Sequence, residues 1–291
     1  MTKGTRIMNY APFIFGLTLT AATLTSRSTA ADITLGTAGN FTVLAGSTVT
    51  NTGPTVVIGD LGVWPGNAVT GFPPGNVVTG SIYNGDQVAR QGQIDLTAAY
   101  NSLQAMVPTH TLTGTDLGGL TLQPGVYFFA SSAFLTGTLT LDGMGDPNAV
   151  FVFQMGSTLI TGSSAAVVSI NGASGCNIYW QVGSSATLGT DTAFQGNIVA
   201  MASITFNARA SISDGKALAR DGAVTLSSST VAPCFGCVAD FNQDGGVDGA
   251  DCGAFFFAWE NAEPRTDVNH DGGIDGSDVS AFFEQWESGG C

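Results

Sequence analysis

One block of this chain repeats itself, and the repeat limits what it can fold into. Between Cys176 and Val231, Ala186-Thr187-Leu188 returns as Ile204-Thr205-Phe206 and again as Val224-Thr225-Leu226, at offsets of 18 to 20. A second strand-like set follows each time and ends inward at Phe194, Ile212 and Val231. A third set opens at Gly196-Asn197 and reappears at Gly215-Lys216. A unit this short cannot bury its apolar side alone, but stacked on its own copies it builds a continuous core. The period therefore predicts a β-solenoid.

Composition is consistent with an all-β chain rich in tight turns: 40 residues are Gly, and a 44% hydrophobic content excludes disorder. The net charge of −14 argues against nucleic acid as a partner. That charge is uneven, because residues 238–291 carry 12 acidic side chains and one basic.

Three segments follow. Residues 1–30 read as a secretory signal: Lys3 and Arg6 precede an apolar run from Ala11 to Leu24, and Ser28-Thr29-Ala30 offers small residues for cleavage. No other stretch is long and apolar enough to span a bilayer, so a secreted, extracellular product with no transmembrane anchor after cleavage is expected. Residues 31–232 form the solenoid and 233–291 a small terminal module. Secretion permits disulfides. Cys234, Cys237, Cys252 and Cys291 cluster around the module, and Cys176 lies in the solenoid. Cys234-Phe235-Gly236-Cys237 lacks the second pair or nearby histidines that zinc needs, and the βαβ setting of a redox site, so structural cross-linking is expected. The four clustered cysteines allow three pairings, and Cys176 is either a small buried apolar residue or the partner of one of them.

Early strands occupy Asp32 to Val63, punctuated by Gly53-Pro54, Pro65-Gly66 and Pro73-Pro74-Gly75. Next comes a helix capped by Asn84 or Asp86 and closed by Pro108. Val88, Gly92, Leu96, Ala99, Leu103 and Met106 fall on one stripe, with Arg90, Gln93, Asp95, Asn101 and Gln104 on a wet side. One apolar stripe describes a helix lying along the outside of the solenoid. Strands resume at Leu120-Thr121-Leu122, Leu139-Thr140-Leu141, Phe151-Val152-Phe153 and Val167-Val168-Ser169-Ile170, so the solenoid is interrupted.

Three stretches, Gln123-Pro124-Gly125-Val126-Tyr127, Asn177-Ile178-Tyr179-Trp180-Gln181-Val182-Gly183-Ser184-Ser185-Ala186-Thr187-Leu188-Gly189 and Gly215 to Leu226, carry a resemblance. Together they resemble the secreted microbial ice-binding (antifreeze) proteins, over nearly all of Asp32 to Val231. The resemblance implies an irregular, discontinuous β-solenoid of triangular section with one long flanking α-helix, a mainly β fold that adsorbs to ice.

Alternation assigns the faces. Ala186, Leu188, Ile204, Phe206, Val224 and Leu226 point inward, so Thr187, Thr205 and Thr225 stack outward in a column, with Ser185, Ser203 and Ala223 as a parallel column two residues earlier. In the resembling family such flat grids order ice-like water, which makes Ser185, Thr187, Ser203, Thr205 and Thr225 the candidate contacts with an ice crystal surface. In the second set Asp191 and Arg209 would pair across coils, and a hydrated ion pair is a poor ice-binding surface; Thr192 is expected inward. In the third set Val199 and Leu218 need cover, which the helix can supply.

The module is a duplication at an offset of 27: Asp240 to Asp251 and Asp267 to Asp278. Each copy is a 12-residue calcium loop with oxygen donors at positions 1, 3, 5, 9 and 12 and a carbonyl at 7. The candidate Ca2+ ligands are Asp240, Asn242, Asp244, Gly246, Asp248 and Asp251, then Asp267, Asn269, Asp271, Gly273, Asp275 and Asp278. Val247 and Ile274 at position 8 would pair the loops. An apolar helix follows each loop but none clearly precedes it, and position 12 is Asp. The pattern resembles a dockerin-like, EF-hand-type module, which implies a cohesin-like or cell-envelope partner and attachment at the cell surface; Gly249-Ala250 and Gly276-Ser277, at the positions of partner choice, are small.

The leading reading is a secreted ice-binding protein tethered through this module. The alternative is a cell-surface adhesive or structural solenoid, with polysaccharide as a candidate ligand, that does not bind ice. An enzyme is not expected: His110 and His270 lie in no acid/base cluster.

Overall fold

The computed structural model describes Met1 and residues 33–234, 238–239, 241, 247–263, 266–268 and 273–287. The expected signal and its cleavage site lie outside the described residues, apart from Met1. Residues 33–234 wind into a solenoid of three parallel sheets with nine, seven and eight strands. Each coil contributes in turn to a first sheet, a second and a third, which gives the triangular course expected.

Coil length explains the irregular periodicity. Along the first sheet, long coils carry the chain from Val126 to its partner Val152 and from Val152 to its partner Tyr179. Shorter coils then lead from Tyr179 to its partner Asn197 and from Ile198 to its partner Ala217. Long coils enclose more volume, and their inward positions are aromatic: Tyr127, Phe153 and Trp180 stack at ring separations of 5.3 and 4.0 Å. The same inward column then shrinks to Ile198, Ala217 and Val43 in the short coils. Side-chain volume and coil length change together, which keeps the interior close-packed.

The coils do not stack in chain order. The strand Phe41–Ala45 pairs with Ala217–Ala219, so the first coils continue the stack beyond the last one. At the far end of those early coils, after Ile82–Asn84, the helix α1 (Gln87–Ala105) runs back along the first sheet. At about 1.5 Å per residue its 19 residues span roughly 28 Å, most of a nine-stranded sheet with strands about 4.8 Å apart. It delivers the chain to His110–Thr111 at the opposite edge, where the long coils begin.

Asp86 caps α1, its carboxylate accepting from Ala89 N at 2.9 Å. The buried stripe is Ala89, Gly92, Gln93, Leu96, Ala99, Tyr100 and Leu103. It packs on Phe41, Leu44, Val152, Tyr179, Val199 and Leu218 in a second apolar core outside the solenoid lumen. Two expectations are corrected. Val88 is 51% exposed and Ala89 is buried in its place at the start of the stripe, while Gly92, Leu96, Ala99 and Leu103 face the sheet as expected. Gln93, expected to be wet, is buried, and its Nε2 donates to Ala219 O at 3.0 Å. The approach is close at Gly92, where a Cβ would stand 2.7 Å from the Phe41 ring.

In the terminal module, α2 (Gly249–Glu260) and α3 (Gly276–Glu287) follow the two loops. Phe255 and Phe282 stack between them with ring centroids 4.1 Å apart, and Phe241 meets both rings edge-on. No helix among the described residues is long and apolar enough to cross a membrane.

Candidate functional site

The second sheet brings the expected residues together. Thr187 pairs with Thr205 and Thr205 with Thr225, while Ala186, Leu188, Ile204, Phe206, Val224 and Leu226 are buried beneath them. Sequence periodicity missed the continuation on both sides. Thr225 pairs onward with Thr50, and Thr50 with Thr70, across the junction between the last coil and the first. In the other direction Thr187 pairs with Ile160, and Ile160 with Phe134. The outward column is therefore Phe134, Ile160, Thr187, Thr205, Thr225, Thr50 and Thr70. Its six strand gaps make about 29 Å at about 4.8 Å each.

Ser185 and Ser203 lie beside this column, and their hydroxyls are partly committed. Ser203 N donates to Ser185 Oγ at 3.3 Å and Ala223 N donates to Ser203 Oγ at 3.2 Å. These bonds tie neighbouring coils and fix the hydroxyls in place. The row extends through Thr158, whose Oγ1 donates to Ser132 Oγ at 2.8 Å. In the main column Thr50 Oγ1 donates to Thr225 Oγ1 at 3.3 Å. From Ser132 and Phe134 to Ala68 and Thr70 no outward position in the two rows is charged, and Asp116, bridged to Phe134, stands at the far end. The β-branched Thr side chains have few rotamers, so a hydroxyl and a methyl repeat at strand spacing on a rigid support.

The other two sheets differ. The first is covered by α1 through Val199 and Leu218, as expected. At the border of the third sheet, Arg209 Nε and Nη2 donate to the Asp191 carboxylate at 2.6 and 2.8 Å. The bidentate contact holds the Asp191 carboxyl below its usual range and raises the Arg209 guanidinium. Both residues have positive φ, 58° and 60°, so the pair sits at the corner between the second and third sheets and not on a strand. Thr192 is inward and buried, and its Oγ1 bonds Thr161 Oγ1 at 2.8 Å and Gly162 O at 3.1 Å.

The module repeats one local geometry in both copies. Asp248 N donates to Asp251 Oδ2 at 2.8 Å, and Asp275 N to Asp278 Oδ2 at 2.9 Å. Trp259 Nε1 donates to Asp275 O at 3.3 Å, and Trp286 Nε1 returns to Asp248 O at 3.1 Å. Each helix thus holds position 9 of the other loop. Asp251 and Asp278, at position 12, are fully buried. A carboxylate removed from water needs hydrogen bonds and compensating charge. Asp251 closes the capping box of α2, and no three His, Cys, Asp or Glu side chains among the described residues converge as a metal-binding group. Asp267 and Gly273 are also described, Val247 and Ile274 are half-buried, and Asp240, Asn242, Asp244, Gly246, Asn269 and Asp271 lie outside the described residues.

A family model described as ice-binding-like matches residues 43–232. An ice-binding protein of Nostoc sp. (strain HG1) is 57% identical over 198 residues, 68% of this chain and 73% of that protein. The crystal structure of an ice binding protein from an Antarctic biological consortium aligns with a TM-score of 0.67 at 48% identity, covering 69% of this chain and 90% of that one. An ice-binding protein from Arctic yeast, solved for the basis of its antifreeze activity, aligns with a TM-score of 0.64 at 30% identity, over 69% and 94% of the two chains.

Proposed function

The chain belongs to the ice-binding-like family, and from that premise we propose that it is a secreted protein that adsorbs to ice through its second sheet and so depresses freezing or inhibits recrystallisation. The observation that carries this reading is the unbroken, uncharged column from Thr187 through Thr205, Thr225 and Thr50 to Thr70. Water over such a surface meets a hydroxyl and a methyl at every strand. The hydroxyl accepts a place in a hydrogen-bonded lattice and the methyl excludes competing orientations. Crystal growth between adsorbed molecules must then curve, which costs free energy and lowers the local freezing point. The first sheet has its helix, and the corner of the third carries an ion pair whose hydration shell does not match ice. No covalent chemistry is needed for this action.

Ice-affinity purification of the full chain tests the proposal. It should partition into a slowly grown ice fraction; recovery only in the liquid would overturn it. The module is proposed to bind two Ca2+ and to attach the protein to a cohesin-like or cell-envelope partner. The duplicated spacing of oxygen-bearing residues, Asp240 to Asp251 and Asp267 to Asp278, supports the calcium part. Terbium luminescence sensitised by Trp259 and Trp286, displaced by calcium, would test it.

A further inference from the structure

The chain leaves the solenoid from the interior of the stack. Its last strand, Thr230–Val231, lies between Ser211–Ser213 and Val56–Ile58. Ala232 O then accepts from Gly215 N at 3.1 Å, and two residues later the Cys234 thiol is hydrogen-bonded to that of Cys176. Cys176 belongs to the 3-10 turn Gly175–Asn177 and is held on several sides. Its N–H donates to Ser174 Oγ at 3.3 Å, and its carbonyl accepts from Asn197 Nδ2 at 3.1 Å. Gly175 is pressed so close to the next coil that a Cβ would stand 2.3 Å from Asp214 O. The sulfurs are therefore neighbours on two anchored backbones.

We propose that Cys176 and Cys234 form a disulfide that clamps the exit of the solenoid and encloses its last three coils. The proposal rests on the export reading above, because the bond needs an oxidising compartment. The Asp214 carboxylate and the Lys216 ammonium both act on the two sulfurs, so the pair sits between opposite charges and has no third Cys or His beside it among the described residues. The shared hydrogen bond has the Cys234 S–H supporting a Cys176 thiolate, which lowers the Cys176 thiol and raises that of Cys234. Exchange can begin at either sulfur and closes the same bond, and one order starts at Cys176. Its thiolate attacks the disulfide of an oxidant such as glutathione disulfide or an exported dithiol–disulfide oxidoreductase, forming a mixed disulfide and expelling one thiolate. Cys234 then gives up its proton and attacks the Cys176 sulfur, expelling the second. Two electrons and two protons pass to the oxidant. A pull applied through the terminal module would then be taken up at Cys176, two coils away, before it could peel Thr230–Val231 from the third sheet.

The reduced full chain, incubated with glutathione disulfide, tests the pairing independently of export. Free thiols are alkylated and chymotrypsin is added; cleavage after Tyr179 and Phe235 separates Cys176 from Cys234 and Cys234 from Cys237. Mass spectrometry should find the Cys176 and Cys234 peptides joined and released by dithiothreitol. Alkylated Cys176 with Cys234 joined to Cys237, Cys252 or Cys291 would overturn the assignment. Oxidation should raise Tm by about 5–10 °C. Cys176→Ser, Cys234→Ser and the double variant should lose that rise equally; equal Tm before and after reduction of the joined protein would refute the clamp. If the pair forms in this buffer but is reduced in protein taken from the producing cells, the export reading fails and the pairing stands.

Discussion

Thr205→Tyr at the centre of the second sheet is the sharpest test of the proposed surface. Thr205 is paired with Thr187 on one side and Thr225 on the other, and Ile204 and Phe206 anchor its strand inward. A phenol at this position stands above the Thr layer by about one strand spacing, roughly 4–5 Å. A flat crystal plane resting on that ring is lifted from the neighbours at about 4.8 Å along the column and at about 6.7 Å along the strand. Thr187, Thr205, Thr225 and Ser203 are lost together, which removes the middle of a column of seven. Adsorption depends on simultaneous contact, so thermal hysteresis should fall by more than half at matched concentration. The substitution is outward, so stability should change by no more than about 0.5 kcal/mol. Nanolitre osmometry and a thermal melt measure the two quantities. Ser211→Tyr, outward on the third sheet beside Ala193, is the control and should keep full activity. Hysteresis unchanged in Thr205→Tyr but lost in Ser211→Tyr would refute the face assignment.

Other substitutions follow from the same geometry. Gln154 is buried, and its Nε2 donates to Leu103 O at 2.7 Å and Met106 O at 2.9 Å at the end of α1, so Gln154→Ala should cost about 2–4 kcal/mol in a denaturant melt by stranding those carbonyls. Gly92→Leu should lower Tm more than any outward substitution on α1, because its side chain would meet the Phe41 ring. The Thr37 hydroxyl and then the Thr37 N–H hold the Asp95 carboxyl below its ordinary value of 3.8. That contribution is present above pH 3.8 and lost as the pH falls through the lower folded value, so Asp95→Ala should lower Tm at pH 7 more than at pH 3. If the module holds calcium as proposed, EGTA should lower its melting temperature while leaving hysteresis intact, because no described module residue belongs to the second sheet.

Much of this was legible because alternation is local. Ala186-Thr187-Leu188 and its two repeats declare their inward and outward sides without reference to anything else, and all nine residues took them. The edge of the buried stripe of α1 was not legible in the same way. Val88 and Ala89 are both apolar, and residue type alone does not say that Ala89 is buried and Val88 exposed on a helix whose Gly92 lies against the Phe41 ring. Gln93 looked like a wet residue because its type is polar; its burial depends on a free carbonyl at Ala219. The extension of the Thr column shows a different limit. Thr48-Val49-Thr50 and Ala68-Val69-Thr70 alternate as the later repeats do, at the spacing that separates Thr205 from Thr225. What no local pattern states is that Thr50 sits beside Thr225.

That junction determines the size of the candidate surface. If the coils stacked in chain order, the run Thr187, Thr205, Thr225 would end at an open edge, with three Thr and an exposed row of backbone groups. Returning α1 along the first sheet lets the early coils cover that edge, and the run becomes five Thr. The same arrangement places the chain's exit after Val231 on the third sheet, and Cys234 beside Cys176 near the corner at Asp214 to Lys216, between the third sheet and the first. The exit is thus on a side of the triangle that does not carry the Thr column. A tether leaving there and an ice plane resting on the second sheet, as proposed, would not compete for the same surface, so the discontinuity both lengthens the candidate column and keeps it clear.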